Sequence, residues 1–160
     1  AKGLEWDAVA VPGLTEAGFP VHSATTARPD ADTGKWRIGD PQDGAWTVGL
    51  DGLPYDLRGD AGSLPQLAWR SAAEARDVEE RRLTFRAEAG RAGIAEERRL
   101  AYVALTRARH ALMLSTAIWG TQTSPRLVSR FLAELVETRP DLLHIRQWEP
   151  DPDILSLIHI

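Results

Sequence analysis

The sequence contains no cysteine, one methionine and only two lysines among its 160 residues. The absence of cysteine excludes disulfide scaffolds, thiol nucleophiles and cysteine-ligated metal sites. The four histidines show no metal-ligand spacing, so we expect no metal site. No stretch approaches the roughly 18 consecutive apolar residues that a membrane span requires, and no basic, apolar signal segment opens the chain. We therefore expect a cytoplasmic protein without a membrane partner.

What the sequence does contain is typical of a globular domain, with 43% hydrophobic and 26% charged residues. Its length suits a single domain with a real core. The first residue is Ala1, and the chain opens directly on a motif-like string. We expect a fragment of a larger protein.

Charge is spread unevenly around a net value of −4. Residues 1–65 carry −5, residues 66–110 carry +3 and residues 111–160 carry −2, and the positive middle has ten arginines and no lysine. Arginine suits contacts with phosphate and carboxylate groups. A solvated helix with many ion pairs explains the same arginines, and charge alone favours that interpretation.

Two short apolar runs, residues 8–11 and 111–116, predict buried strands of a parallel sheet. Between them, residues 12–65 hold nine glycines and six prolines, which disfavours regular structure. We expect this insertion to be ordered, with a small hairpin near residues 46–48. Its predicted apolar anchors are Trp36, Trp46, Tyr55 and Leu57.

Helices are predicted over residues 71–89, from about 94 to 109, and from about 126 to 138. Ser71 and Glu74 form a candidate capping box, and Gly90 and Gly93 are expected to separate the first two helices. Strand, insertion, helices and strand in this order indicate an α/β fold with a parallel sheet and helices on its faces. Two strands are few for such a sheet, so we expect further strands upstream of residue 1.

One helical stripe carries a candidate functional residue. Leu100, Val103, Ala104 and Arg107 recur at the spacing of one helix face, which predicts three core-facing residues followed by an arginine. A buried arginine costs free energy unless it meets an anion. Alternatively, Arg107 caps the carbonyls of its own helix or extends to solvent, and periodicity alone does not decide between these interpretations.

Residues 96–109 (EERRLAYVALTRAR) closely resemble motif VI of superfamily 1 DNA helicases of the UvrD/Rep/PcrA type. Residues 1–9 (AKGLEWDAV) resemble the latter part of motif V of the same family. The resemblance implies a partial RecA-like domain of the P-loop NTPase type. Residues 1–138 would form the second half of the C-terminal RecA-like domain, with residues 12–65 as an insertion and residues 139–160 as a tail.

The resemblance also implies roles for single residues. Arg107 would reach the γ-phosphate of ATP as an arginine finger, and Glu5 would accept a hydrogen bond from the ribose hydroxyl. Gly3 would allow the backbone to approach the nucleotide or a DNA phosphate, and Lys2 would contact phosphate.

Three neighbours of Arg107 in the motif have no predicted chemical role. We expect Arg98 and Arg99 to form structural ion pairs, and Tyr102 to pack beside the site.

The implied parent protein is an ATP-dependent 3′-to-5′ DNA helicase of repair or recombination, which uses ATP with Mg²⁺. Its partners would be single-stranded and duplex DNA, the N-terminal RecA-like domain of the same chain, and other repair subunits. The sequence lacks the Gly-x-x-x-x-Gly-Lys-Ser/Thr phosphate loop, so the isolated chain is expected to be inactive.

Two alternatives stay open. The first is that the chain is the motor part of a helicase–nuclease repair subunit of the RecB, AddA or AdnB type. Residues 53–60 (LPYDLRGD) resemble a stretch of actinobacterial UvrD-like enzymes, which include helicase–nuclease subunits. The other alternative is a non-catalytic module that binds protein or nucleic acid through its arginine-rich helices.

Overall fold

The structure, a computed structural model, describes residues 4–22, 28–32, 36–37, 39–49, 52–121 and 125–148. Its strands and helices follow in chain order as β1 (Trp6–Val11), β2 (Arg28–Pro29), β3 (Trp36–Arg37), α1 (Ala75–Leu105), β4 (Ala108–Leu114) and α2 (Arg130–Thr138). Short 3-10 turns lie in the insertion, before α1 and after α2. The mixed helices and strands confirm the predicted α/β fold class.

Strands β1 and β4 pair in parallel, from Trp6 opposite Ala108 to Val11 opposite Leu114. This confirms the two predicted strands and the parallel sheet, which is consistent with part of a RecA-like domain. The expectation that both strands are buried is wrong, because most of their residues are exposed. In the described part of the chain this sheet has two strands, so both of its edges and much of its faces stay uncovered.

Helix α1 runs unbroken through Gly90 and Gly93, so the predicted break between two helices is wrong. Glycine inside a helix costs about 1 kcal/mol relative to alanine, which packing can offset. Gly90 is buried where the insertion crosses the helix, and a Cβ placed on it would lie 2.2 Å from the carbonyl oxygen of Pro41. Because Gly90 has no side chain, the backbone of the insertion can lie directly against the helix at this point.

The start of α1 also differs from the prediction. The helix begins at Ala75, and the Asp77 carboxylate accepts hydrogen bonds from the backbone N–H groups of Ala73 (3.1 Å) and Glu74 (3.2 Å). The capping box therefore pairs Glu74 with Asp77, and the predicted box of Ser71 and Glu74 is wrong. Ser71 instead belongs to a 3-10 turn that precedes the helix.

The insertion packs on α1 around Phe85, whose side chain is almost fully buried. The ring centroids of Trp46 and Tyr55 lie 6.2 and 5.7 Å from that of Phe85. These contacts confirm Trp46 and Tyr55 as anchors, whereas Leu57 is exposed and anchors nothing. The predicted hairpin is wrong, since a 3-10 turn occupies Ala45–Thr47.

Helix α2 ends at Thr138 as predicted but begins four residues later than expected. Ser129 is its N-cap, and the buried Ser129 hydroxyl accepts a hydrogen bond from the N–H of Phe131 (3.3 Å). Val128 forms an antiparallel bridge with Thr15. This extended backbone keeps the residues before Ser129 out of the helix.

The two glycines of α1 predict opposite responses to alanine. Gly93→Ala adds a methyl group with no heavy atom within 4 Å and should stabilise the fold by roughly 0.5–1 kcal/mol. Gly90→Ala forces the Pro41 backbone away and should destabilise it by about 1–3 kcal/mol. Urea unfolding of both variants measures the difference. A Gly90→Ala variant as stable as Gly93→Ala would contradict the close crossing.

Candidate functional site

Arg107 lies in the turn between α1 and β4. Its Nε donates a hydrogen bond to the carbonyl oxygen of Val103 (3.0 Å), and its Nη1 donates to that of Leu4 (3.3 Å). Arg107 therefore caps the last turn of its own helix, which is one of the two roles that periodicity left open for it. A guanidinium has about five N–H donors, so these two bonds leave capacity for an anion.

Two of the three apolar residues in the predicted stripe do not face a core. Leu100 and Val103 are 57% and 48% exposed, and Tyr102, predicted to pack beside the site, is 69% exposed. The stripe prediction is therefore wrong for these described residues. The buried residues of α1 are instead Phe85, Ala89 and Gly90, in the part that the insertion covers, and Ala101.

Glu5 lies immediately before β1, at the same edge of the sheet as Arg107. Its Oε2 accepts a hydrogen bond from Nε of Arg109 (3.2 Å), and both side chains are about half exposed. The next residue, Trp6, donates its backbone N–H to the carbonyl oxygen of Arg107 (2.9 Å). The structure thus brings Glu5 and Arg107 together at the amino-terminal ends of the two strands. Lys2 and Gly3 lie outside the described residues.

The ion pairs expected for the first two arginines of motif VI are confirmed. Arg98 Nη1 lies 2.7 Å from Oε2 of Glu134, and its guanidinium stands 5.0 Å from the ring centroid of Phe131. Arg99 pairs with Glu96 one turn earlier on the helix. Arg98 therefore joins α1 to α2, whereas Arg99 has a partner on its own helix surface.

A buried ionic cluster, which the sequence analysis missed, joins the loop after β1 to the start of α2. The side chain of Glu16 is 5% exposed and accepts hydrogen bonds from Nε and Nη2 of Arg130, the latter at 2.8 Å. The backbone N–H of Arg130 donates to Oε1 of Glu16 (2.5 Å), and Nε2 of the buried His22 lies 2.9 Å from Oε2. The cluster therefore links the first turn of α2 to the loop that follows β1.

The environment of Glu16 shifts its titration. Burial alone would raise the pKa of its carboxyl, but hydrogen bonds from Arg130 and His22 outweigh burial and hold the pKa below the ordinary value of 4.5. The carboxylate also meets the positive N-terminal end of α2, where anions are favoured. Glu16 and Arg130 stand far apart in the chain, so no local pattern indicates their pairing.

A groove of about 510 Å³ opens beside this cluster. Glu16, Arg130 and Glu137 contribute its charged lining, and the half-buried Trp36 and the exposed Trp148 also line it. Neither Arg107 nor Glu5 lines this groove, so the predicted nucleotide residues occupy an open edge instead.

Across the described ranges, no three carboxylate or imidazole side chains cluster as metal ligands would. No helix there is long and apolar enough to cross a membrane.

This chain matches the model of a known protein family. The family model described as the UvrD-like helicase C-terminal domain matches residues 1–118, which include β1, the insertion, α1 and β4. Comparison with curated proteins finds no match. The family match says nothing about the source organism, so the resemblance of residues 53–60 to actinobacterial enzymes stays a prediction.

Proposed function

The chain belongs to the family of UvrD-like helicase C-terminal domains, and from this premise we propose that it supplies one side of the ATP site of a 3′-to-5′ DNA helicase. One observation carries the proposal. Arg107 and Glu5, whose motifs lie at opposite ends of the matched region, meet at one sheet edge through direct bonds between their segments. Residues 1–138 are proposed as the domain half that carries this edge, and residues 139–160 as a tail.

Each residue at this edge has a group that suits its proposed partner. Arg107 supplies a cation where negative charge develops on the γ-phosphate during transfer. The Glu5 carboxylate accepts a hydrogen bond from a ribose hydroxyl. Lys2 and Gly3 are proposed to meet phosphate through an ammonium group and an uncrowded backbone.

The open position of the edge suits a site shared between two domains. We place the phosphate loop and the Mg²⁺ ligands on the N-terminal RecA-like domain of the same protein, because the chain has no Gly-x-x-x-x-Gly-Lys-Ser/Thr segment. When the cleft closes on ATP, the Arg107 guanidinium gives up its hydrogen bonds to the carbonyl oxygens of Val103 and Leu4 and bonds to a phosphate oxygen. Hydrolysis reverses the exchange, and this two-state cycle drives stepping along single-stranded DNA and separation of the duplex in repair or recombination.

The alternative of a basic binding module receives less support from the structure. Several arginines of α1 have carboxylate partners on the same helix surface, among them Arg76 with Glu80 and Arg82 with Glu79. Such pairs lower the positive potential that nucleic-acid binding requires. Other repair subunits, and a nuclease domain in the parent protein, remain proposals that follow from the family alone.

DNA-stimulated ATP hydrolysis by the full-length protein that carries this chain tests the proposal. We expect single-stranded DNA to raise turnover, and a duplex with a 3′ single-stranded tail to be unwound while a 5′-tailed duplex stays intact. The isolated 160-residue chain serves as the control and should show no turnover. Turnover indifferent to DNA, or unwinding from the 5′ tail, would contradict the proposal.

A further inference from the structure

We infer that Arg109 is a positioning residue that holds the Glu5 carboxylate in place for the ribose of the bound nucleotide. The inference rests on the proposed function, because it concerns the same site. It begins from the bond between Nε of Arg109 and Oε2 of Glu5 (3.2 Å).

Two further bonds join the same two short segments. Arg107 Nη1 donates to the carbonyl oxygen of Leu4, and the carbonyl oxygen of Arg107 accepts from the N–H of Trp6. Arg109 reaches Glu5, the residue between them. The backbone on both sides of Glu5 is therefore held by Arg107, and its side chain is held by Arg109.

The exposure of the pair indicates a local role. Both side chains are 53% exposed, and an ion pair in such a position contributes little to the stability of a fold. It does restrict the rotamers of Glu5, which would otherwise move freely in solvent. A carboxylate has about four lone-pair sites, so one bond to Arg109 leaves room for a ribose hydroxyl.

The partners of the two arginines separate their roles. Arg107 bonds to neutral carbonyl oxygens, which it can leave for a phosphate with a gain in charge pairing. Arg109 bonds to a carboxylate, and leaving it for a phosphate would exchange one anion for another. We therefore expect Arg107 to move from its carbonyl partners to the phosphate, whereas Arg109 stays paired with Glu5.

The test compares nucleotides in the DNA-stimulated assay of the full-length enzyme, with ATP, 2′-deoxy-ATP and 3′-deoxy-ATP as substrates. For Arg109→Ala we expect the KM for ATP to rise about threefold with kcat nearly unchanged, as suits the loss of an exposed ion pair. The preference for ATP, measured as the ratio of its kcat/KM to that of the less favoured deoxynucleotide, should also fall. Arg109→Lys keeps the charge and should restore part of the preference.

Two further variants separate the possible outcomes. Glu5→Ala should abolish the ribose preference, and Arg109→Ala should add nothing in that background. Arg139→Ala, which removes a similarly exposed arginine from its pair with Asp141, should leave the preference intact.

Failure of the inference and failure of the proposed function give different results. If Glu5→Ala loses the preference while Arg109→Ala keeps it, the inference is wrong and the function stands. The inference is also overturned if Arg109→Ala raises the KM for all three nucleotides by the same factor. If neither Glu5→Ala nor Arg107→Ala changes turnover, the proposed function is wrong as well.

Discussion

Arg107→Ala in the full-length enzyme is expected to lower DNA-stimulated ATP turnover about a thousandfold or more, the range in which arginine fingers act. The affinity for ATP should change little, because the proposed contact strengthens as charge develops on the γ-phosphate. Steady-state turnover, together with equilibrium binding of a fluorescent ATP analogue, measures both quantities. Turnover close to that of the unchanged enzyme would contradict the role of Arg107.

The capping role of Arg107 requires a structural control. Alanine removes its hydrogen bonds to the carbonyl oxygens of Val103 and Leu4, and each such bond contributes about 1 kcal/mol to stability. This loss is too small to unfold an ordinary domain, so thermal unfolding of the variant should show a modest decrease in Tm. Arg107→Lys retains a cation without the planar fork and should keep the fold with low turnover. A large decrease in Tm for both variants would point to a structural role instead.

Glu16→Ala is expected to lower the free energy of unfolding of the chain by about 3 kcal/mol, the lower end for a broken buried ion pair. The substitution leaves the Arg130 guanidinium, whose side chain is 32% exposed, without its buried carboxylate partner. It also removes the acceptor of the Arg130 backbone N–H at the first turn of α2. Urea unfolding at neutral pH, followed by circular dichroism, measures the loss.

The same pair predicts a dependence on pH. Because the pKa of Glu16 in the folded chain lies below 4.5, the unfolded chain binds more protons in this range, and stability rises with pH. The contribution of Glu16 is thus complete above about pH 5 and is lost as the pH falls below 4.5 toward the folded pKa. The difference between the unchanged chain and Glu16→Ala should shrink over that interval.

An exposed carboxylate provides the matched control for Glu16. Asp141 pairs with Arg139 at the surface, so Asp141→Ala should leave unfolding nearly unchanged. If Glu16→Ala unfolds at the same urea concentration as Asp141→Ala, the buried cluster does not fasten α2. A difference that stays constant below pH 4.5 would contradict the pH argument.

The elements that local pattern determines could be predicted from the sequence. The apolar runs that form β1 and β4, the helical stretch of α1 and the end of α2 all follow from residue types within a few positions. The relation between Glu5 and Arg107 came from the resemblance of their motifs to a known family. No periodicity in the chain indicates that the two meet.

The features that depend on distant parts of the chain could not be predicted. Position 90 of α1 is a glycine because the backbone of Pro41 lies against it, and nothing near Gly90 in the sequence shows this contact. Likewise, the late start of α2 depends on the bridge between Val128 and Thr15. The exposure of Leu100 depends on how many strands cover the helix, which periodicity does not reveal.

The unbroken course of α1 gives it the mechanics of a lever. With a rise of about 1.5 Å per residue, its 31 residues span roughly 46 Å, and about 30 Å separate Phe85 from the C-terminal end. A tilt of about 5° around the Phe85 contact would displace that end by roughly 2.6 Å, close to the length of a hydrogen bond. Two helices joined by a glycine hinge would absorb such a tilt, whereas a single rod carries it directly to Arg107.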